Sequence, residues 1–373
     1  MMEGYQNLRS AKRNIGTSLT NLRTGKATRS RPQNGNRQPR LADVARLANV
    51  STATVSRVIN SPAVVSDEIR ERVQRAIEGL RWVPNASAIA LATNRTRTVG
   101  AIMPTLDHQN FARIVERLQA TLSASRYDLL ISCTHYDRTA ATHQVRTMVE
   151  RGAEALVLVG ADQPEELFAL LDGQEVPHVL LYVAPGTLPG RQIVGYDNYL
   201  AFSTITEYLL ELGHRTFGLV AQSTAFNDRA RARQAGVRDR LAEHGIAIRP
   251  RHFVEGNWKV EDGMRAFRSI MSTDDPPTAL VCGNDYLAIG CLLEARAMGI
   301  PVPEAVSITG FDDVDLARLL EPGLTTMRVP DAEVGEMTGH YLADLLEGRA
   351  ASLREVPQPE LIIRGSTQAP RSI

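Results

Sequence analysis

From Val99 onward the chain alternates short apolar runs with longer amphipathic stretches, and this alternation limits the possible folds more than any other feature. Strand-like runs are read at 99–104, 127–133, 155–160, 176–182, 193–197, 216–222, 278–283, 307–311, 324–330 and 360–364. Helical periodicity is clearest at 112–125, 200–212 and 229–244, with a shorter helix at 315–320. Continuous apolar runs suit strands buried on both faces, and the helices between them suit parallel crossovers. The pattern predicts doubly wound α/β sheets. Residues 99–373 are too many for one such sheet, which favours two similar lobes with a cleft between them.

Residues 41–80 read differently, as three short helices. Leu41, Val44, Ala45, Leu47 and Ala48 form the first apolar stripe, which stops at Asn49, a residue that tolerates the left-handed conformation. Ser51 is a good N-cap for the second, which turns Val55, Val58 and Ile59 inward. The third begins at Ser66 with Asp67 and Glu68 in its first turn and buries Ile69, Val73, Ala76, Ile77 and Leu80. Two short helices joined by a tight turn and braced by a third make an all-α helix-turn-helix domain.

Charge supports that division. The whole chain is neutral, with 42 Lys+Arg against 42 Asp+Glu. Residues 1–40 nevertheless carry +8, residues 41–98 carry +3, and residues 99–373 carry −11. A basic front on an acidic body is expected where one part meets nucleic acid. Residues 1–40 lack apolar periodicity and read as a disordered basic arm or, equally, as a tail without function ahead of the true start. Three cysteines, Cys133, Cys282 and Cys291, form neither an even framework nor a C-x-x-C pair, which suits a reducing, cytoplasmic setting. No run of 18 apolar residues predicts a membrane span, and no signal-peptide pattern opens the chain. Phosphate-loop and dinucleotide glycine motifs, a serine elbow and a His/Cys ligand cluster are missing from the sequence, so no enzyme, metal or cofactor is expected.

The motifs then become specific. Asp43-Val44-Ala45, Val50-Ser51, Thr54-Val55-Ser56-Arg57-Val58-Ile59-Asn60, Val65-Ser66 and Val83-Pro84-Asn85-Ala86 stand in order at the front. Asp197-Asn198, Leu212-Gly213-His214-Arg215, Asn284-Asp285, Ser307-Ile308-Thr309-Gly310-Phe311-Asp312-Asp313, Leu324-Thr325-Thr326 and Arg364-Gly365-Ser366-Thr367 continue the series. From about Leu41 to the C-terminus the chain resembles the LacI/GalR family of bacterial transcriptional regulators. The resemblance implies a homodimeric repressor with a DNA-reading domain (41–83) and a hinge helix with linker (84–98). It also implies a periplasmic-binding-protein-like core (99–373) for effector binding and dimerisation. Lobe 1 would comprise about 99–196 plus 328–355, and lobe 2 about 197–327 plus 356–373. The partners implied are pseudo-palindromic double-stranded operator DNA and a small sugar or sugar acid that acts allosterically.

With Val55, Val58 and Ile59 inward, 100° per residue places Ala53 and Arg57 on the opposite face of the second helix, with Ser56 on its flank. Thr52 sits in the first turn, where a recognition helix reaches base edges. The resemblance gives Thr52 and Ala53 the specificity positions and Ser56, Arg57 and Asn60 contacts to bases or phosphates. Ser51 and Thr54 belong to the same surface, although Thr54 and Asn60 also suit a bracing role. Residues 84–93 form a short helix capped by Asn85. Ala88 permits close approach of a twin helix, and Leu91 matches the family's minor-groove wedge. Arg40 stands where the family usually places Thr, which predicts a weaker start to the first helix.

In the cleft, the resemblance assigns effector contacts to Arg233, Trp258, Asn284 and Asp312. An indole stacks on a sugar face, Asp accepts from paired hydroxyls, and Asn and Arg orient the rest. Trp258 also reads as a core aromatic, and Asp312 as a turn residue before the helix at 315–320. The loop after the first strand adds Asp107 and Phe111, and Tyr182 replaces an acidic residue common in sugar-binding members. Arg229, Arg231 and Arg233 crowd one segment, pointing to a sugar acid such as an aldonate. A transport-type sugar-binding protein shares such a core but would lack residues 41–98 as a DNA-reading domain.

Overall fold

A computed structural model describes residues 38–60 and 62–371, so the proposed basic arm lies outside the described residues up to position 37. The chain divides into two compact units at Pro84/Asn85. In the first, α1 (Leu41–Leu47), α2 (Thr52–Asn60) and α3 (Asp67–Leu80) pack around Val44, Val55, Val58 and Val73. Asn49 takes φ 52° in the turn between α1 and α2. The start of α1 is secured without a threonine, because Asp43 accepts the Arg40 N–H at 2.9 Å and also pairs with Arg46. Ser51 Oγ accepts the Thr54 N–H at 3.1 Å, as an N-cap does.

The second unit opens with α4 (Ala86–Thr93). Lobe 1 follows as β1 (Thr98–Met103), α5 (Gln109–Ala124), β2 (Asp128–Cys133), α6 (Arg138–Glu150), β3 (Ala155–Val159), α7 (Glu165–Gly173), β4 (His178–Leu181) and β5 (Gln192–Val194). Its sheet is parallel in the order β2-β1-β3-β4-β5, with the reversal of strand order falling between β1 and β3. β2 is an edge strand that leaves Leu130 and Ile131 exposed, so its apolar run does not mark burial on both faces.

Lobe 2 continues with α8 (Asn198–Glu211), β6 (Phe217–Gln222), α9 (Asp228–Glu243), β7 (Phe253–Gly256), α10 (Val260–Met271), β8 (Ala279–Cys282), α11 (Asp285–Met298), β9 (Ser307–Asp312) and β10 (Thr325–Arg328). The chain then returns to lobe 1 as α12 (Asp331–Leu346), which packs along α5, and comes back once more to place β11 (Glu360–Ile362) antiparallel on β10. The second sheet runs β11-β10-β9-β8-β6-β7. β7 escaped the sequence reading because only Phe253 and Val254 are apolar in it. The helix expected at 315–320 is a single 3-10 turn, Asp315–Arg318. β10 ends at Arg328, and α12 begins three residues later at Asp331. Both lobes direct the C-terminal ends of their parallel strands to a common interface, where ligands bind in open α/β sheets.

Candidate functional site

On α2 the residues divide by burial. Val55 and Val58 are buried, while Thr52, Ala53, Arg57 and Asn60 are exposed and Thr54 and Ser56 half-buried. Asn60 Nδ2 donates to Ser56 Oγ at 3.2 Å, so part of its polar capacity braces the helix end. On α4, Asn85 Oδ1 accepts the N–H groups of Ser87 at 3.0 Å and Ala88 at 3.4 Å. None of the α4 side chains is buried, and Leu91 is 89% exposed.

The lobe interface gathers a second set. Arg233, on α9 and only 8% exposed, donates to Asn198 Oδ1 at 2.8 Å and to the Gly283 carbonyl at 2.9 Å. Its guanidinium lies 4.0 Å above the Phe311 ring. Asp312, at the end of β9 with φ 119°, has its Oδ1 buried without a hydrogen-bond partner in the protein. Burial pushes its pKa well up, against the pull of Arg233. Tyr182 is buried after β4, meets Phe111 edge-on at 5.6 Å, and donates to Asp331 Oδ1 at 2.6 Å. Burial raises Asp331 to about 7. Tyr196 OH and Asp331 Oδ2 are likewise buried and unpartnered.

A neighbouring aromatic wall is built from both lobes. His108 stacks on Tyr286 at 5.0 Å and meets Trp258 edge-on at 6.0 Å, and Tyr136 lies 5.1 Å from Trp258. Burial lowers the His108 pKa to about 4, so its imidazole is neutral. His108 Nε2, Asn110 Oδ1 and Trp258 Nε1 are buried and unpartnered. Buried polar groups ordinarily find partners, and these are concentrated at the strand ends, where ligands bind in open α/β sheets.

The predicted residues fare differently. Phe111, Tyr182, Arg233 and Asp312 come together, and Trp258 stands in the adjoining wall. Asp107 is exposed, and the next residue, His108, turns inward instead. Asn284 is fully buried but caps α11, accepting the Leu287 N–H at 2.8 Å, and its Nδ2 lies 3.4 Å from the Trp258 carbonyl. It therefore positions the wall. The three arginines do not form one positive patch: Arg229 pairs with Asp228 at 3.1 Å and Arg231 with Asp162 at 2.8 Å. Arg233 lies among the group beside Asp312 and Asp331, and Arg113 also acts on both carboxyls. Sequence reading missed Tyr196, Asn198 and Asp331; Asp331 follows β10, and the rule that ligands sit after strand ends could have found it. Among the described residues no cluster of three His, Cys, Asp or Glu side chains could hold a metal ion, and no helix is long and apolar enough to cross a membrane.

A helix-turn-helix unit followed by a two-lobed core with a polar interlobe site defines a ligand-responsive DNA-binding regulator. Residues 40–85 match bacterial regulatory proteins of the lacI family, and residues 206–367 match the periplasmic binding protein-like domain. The HTH-type transcriptional repressor PurR of Erwinia tasmaniensis is 32% identical over 332 residues, covering 87% of this chain and 96% of that protein. The ribose operon repressor of Haemophilus influenzae is 30% identical over 330 residues, covering 87% and 98%. A LacI-family regulator from Silicibacter pomeroyi superposes with a TM-score of 0.80 at 26% identity, covering 88% of this chain and 99% of that one. The lac repressor dimer bound to operator and the anti-inducer ONPF gives 0.77 at 25%, covering 89% and 100%. The chain belongs to the LacI family of bacterial transcriptional regulators, DNA-binding repressors with a ligand-binding core.

Proposed function

We propose that this regulator acts as a cytoplasmic homodimer, not as an enzyme, and that its interlobe effector is a neutral, polyhydroxylated small molecule of the sugar class. The observation that carries the ligand class is the mixed set of buried, unpartnered donors and acceptors around Arg233. Arg113 and Arg233 both act on the Asp312 and Asp331 carboxyls, which burial favours in the protonated form, while Arg229 and Arg231 are engaged by acidic neighbours. Hydroxyl groups can donate to Asp312 Oδ1 and Asp331 Oδ2 and accept from Trp258 Nε1, a mixed demand that suits a neutral polyol. The name of one relative, a ribose operon repressor, is in keeping with this class. In the DNA-reading unit, Thr52, Ala53 and Arg57 face base edges, Ser51, Thr54, Ser56 and Asn60 serve the phosphates and brace the helix, and Asn85, Ala88 and Leu91 form the hinge contact. Calorimetric titration of the full chain against neutral sugars and the corresponding sugar acids tests the ligand. Binding confined to the acids would overturn the neutral class. Selection of bound DNA from a random pool tests the rest, with a pseudo-palindrome expected from a two-fold dimer.

A further inference from the structure

Helix α12 joins two places in the core that chain order keeps far apart. Its first residue, Asp331, lies in the lobe interface and holds Tyr182. Sixteen residues later, about 24 Å away at 1.5 Å per residue, its end grips the segment Arg95–Arg97 that follows α4. Arg95 donates to the Leu346 carbonyl at 3.1 Å, to Glu154 Oε2 at 3.0 Å and to the Tyr127 hydroxyl. Glu347 Oε1 accepts from Arg97 at 3.1 Å and from Tyr127 at 3.0 Å. The Tyr127 ring lies 5.7 Å from the Arg95 guanidinium carbon and 5.5 Å from that of Arg97. Glu154 closes the other side by accepting the Arg97 N–H at 2.8 Å. These groups are half-buried, so solvent screens them less than it would an exposed pair.

The helix between the two ends is held against α5 by backbone proximity. A Cβ on Gly335 would lie 2.7 Å from the Ile114 carbonyl oxygen, and one on Gly339 would lie 2.7 Å from Thr121 Cβ. Packing this close moves as a unit, since interiors transmit strain rather than absorb it.

We infer that α12 is the strut that carries a change at the lobe interface to the root of α4, with Arg95, Tyr127 and Glu347 as positioning residues for the hinge. The inference rests on the reading that a ligand occupies the interface and that α4 bears on DNA. Sites this far apart, with no shared partner, normally contribute independently to within about twofold. Departure from independence is therefore the signature of coupling.

The test is a double-mutant cycle in the full chain, measuring affinity for the DNA sequence selected from the random pool. Asp331→Asn and Glu347→Gln are expected each to alter affinity, and the double variant to depart from their product by more than threefold. Agreement with the product within threefold, or unchanged affinity in both single variants, would overturn the strut. Tyr127→Phe replaces Glu347→Gln if the latter fails to fold. Hydrogen exchange in the DNA-free chain supplies a second measurement. Asp331→Asn should change exchange at residues 94–98 by threefold or more, and unchanged exchange there counts against the strut. Because the cycle needs no ligand, coupling without any detectable ligand would sink only the effector reading. A ligand that shifts DNA affinity equally in the native chain and in Glu347→Gln would sink only the strut.

Discussion

Tyr182 donates its hydroxyl to Asp331 at 2.6 Å, tying the residue after β4 to the first residue of α12 within the lobe interface. Burial dominates the Asp331 carboxyl and raises it to about 7, although the Tyr182 bond and the positive charges of Arg113 and Arg233 act the other way. Near neutral pH this carboxyl can therefore serve as donor or acceptor toward a ligand.

The same shift links stability to pH. An unfolded Asp titrates near about 3.9, so between there and about 7 the folded chain keeps a proton that the unfolded chain has lost. The associated stability is complete below the unfolded value and is lost as pH rises through the folded one. Asp285, raised to about 6 by burial, acts in the same direction. Thermal melts from pH 5 to 8 should show the native chain losing stability, and Asp331→Asn should reduce that loss by roughly 2 kcal/mol. Identical pH slopes in the two chains would refute the assignment.

Arg233 is held by the fold as well as facing the proposed ligand site. Arg233→Ala would leave Asn198 Oδ1 and the Gly283 carbonyl without their donor, at a cost of about 2–4 kcal/mol. Arg233→Lys keeps the charge but not the fork, and should recover part of the stability while still losing ligand heat in calorimetry. Full ligand binding by the lysine variant would show that bidentate geometry is unimportant.

Leu91 makes the opposite prediction, because its exposure means that no fold contact depends on it. Leu91→Ala should leave the melting temperature within a degree or so of the native value while weakening operator binding tenfold or more in a gel-shift series. Arg57→Ala should weaken it comparably, and binding of the native chain should fall steeply with salt. Retention of native operator affinity by both variants would remove these residues from the DNA contact.

The lobes are also fastened at their rim. The Asp315 N–H donates to Gln109 Oε1 at 2.8 Å, and its carboxylate pairs with Arg113 at 3.0 Å. On the far side Asp228 accepts the Ala161 N–H at 2.8 Å. Asp315→Ala should loosen the closed arrangement, read as a larger radius of gyration in solution scattering without ligand. Unchanged scattering, with unchanged ligand affinity, would assign these contacts to local structure alone.

Much of the architecture was legible because hydrophobic periodicity is local. The apolar spacing of Val55, Val58 and Ile59 marks one helix face whatever lies beyond it, and the cap at Asn85 is written in three consecutive residues. β7 and the edge character of β2 were not legible, since burial depends on neighbours that arrive from elsewhere in the chain. Alternating strands and helices with a basic head, together with ordered family motifs, thus settled from sequence alone that this is a helix-turn-helix chain with a two-lobed α/β core.

Only the tertiary structure decided which side chains face one another. One position separates exposed Asp107 from buried His108. At 100° per residue, Arg231 points away from the face shared by Arg229 and Arg233, and the two on that face meet different neighbours. Asp331 and Tyr182 stand 149 residues apart in sequence. The site exists because two sheets end at one interface, and no local pattern encodes that meeting.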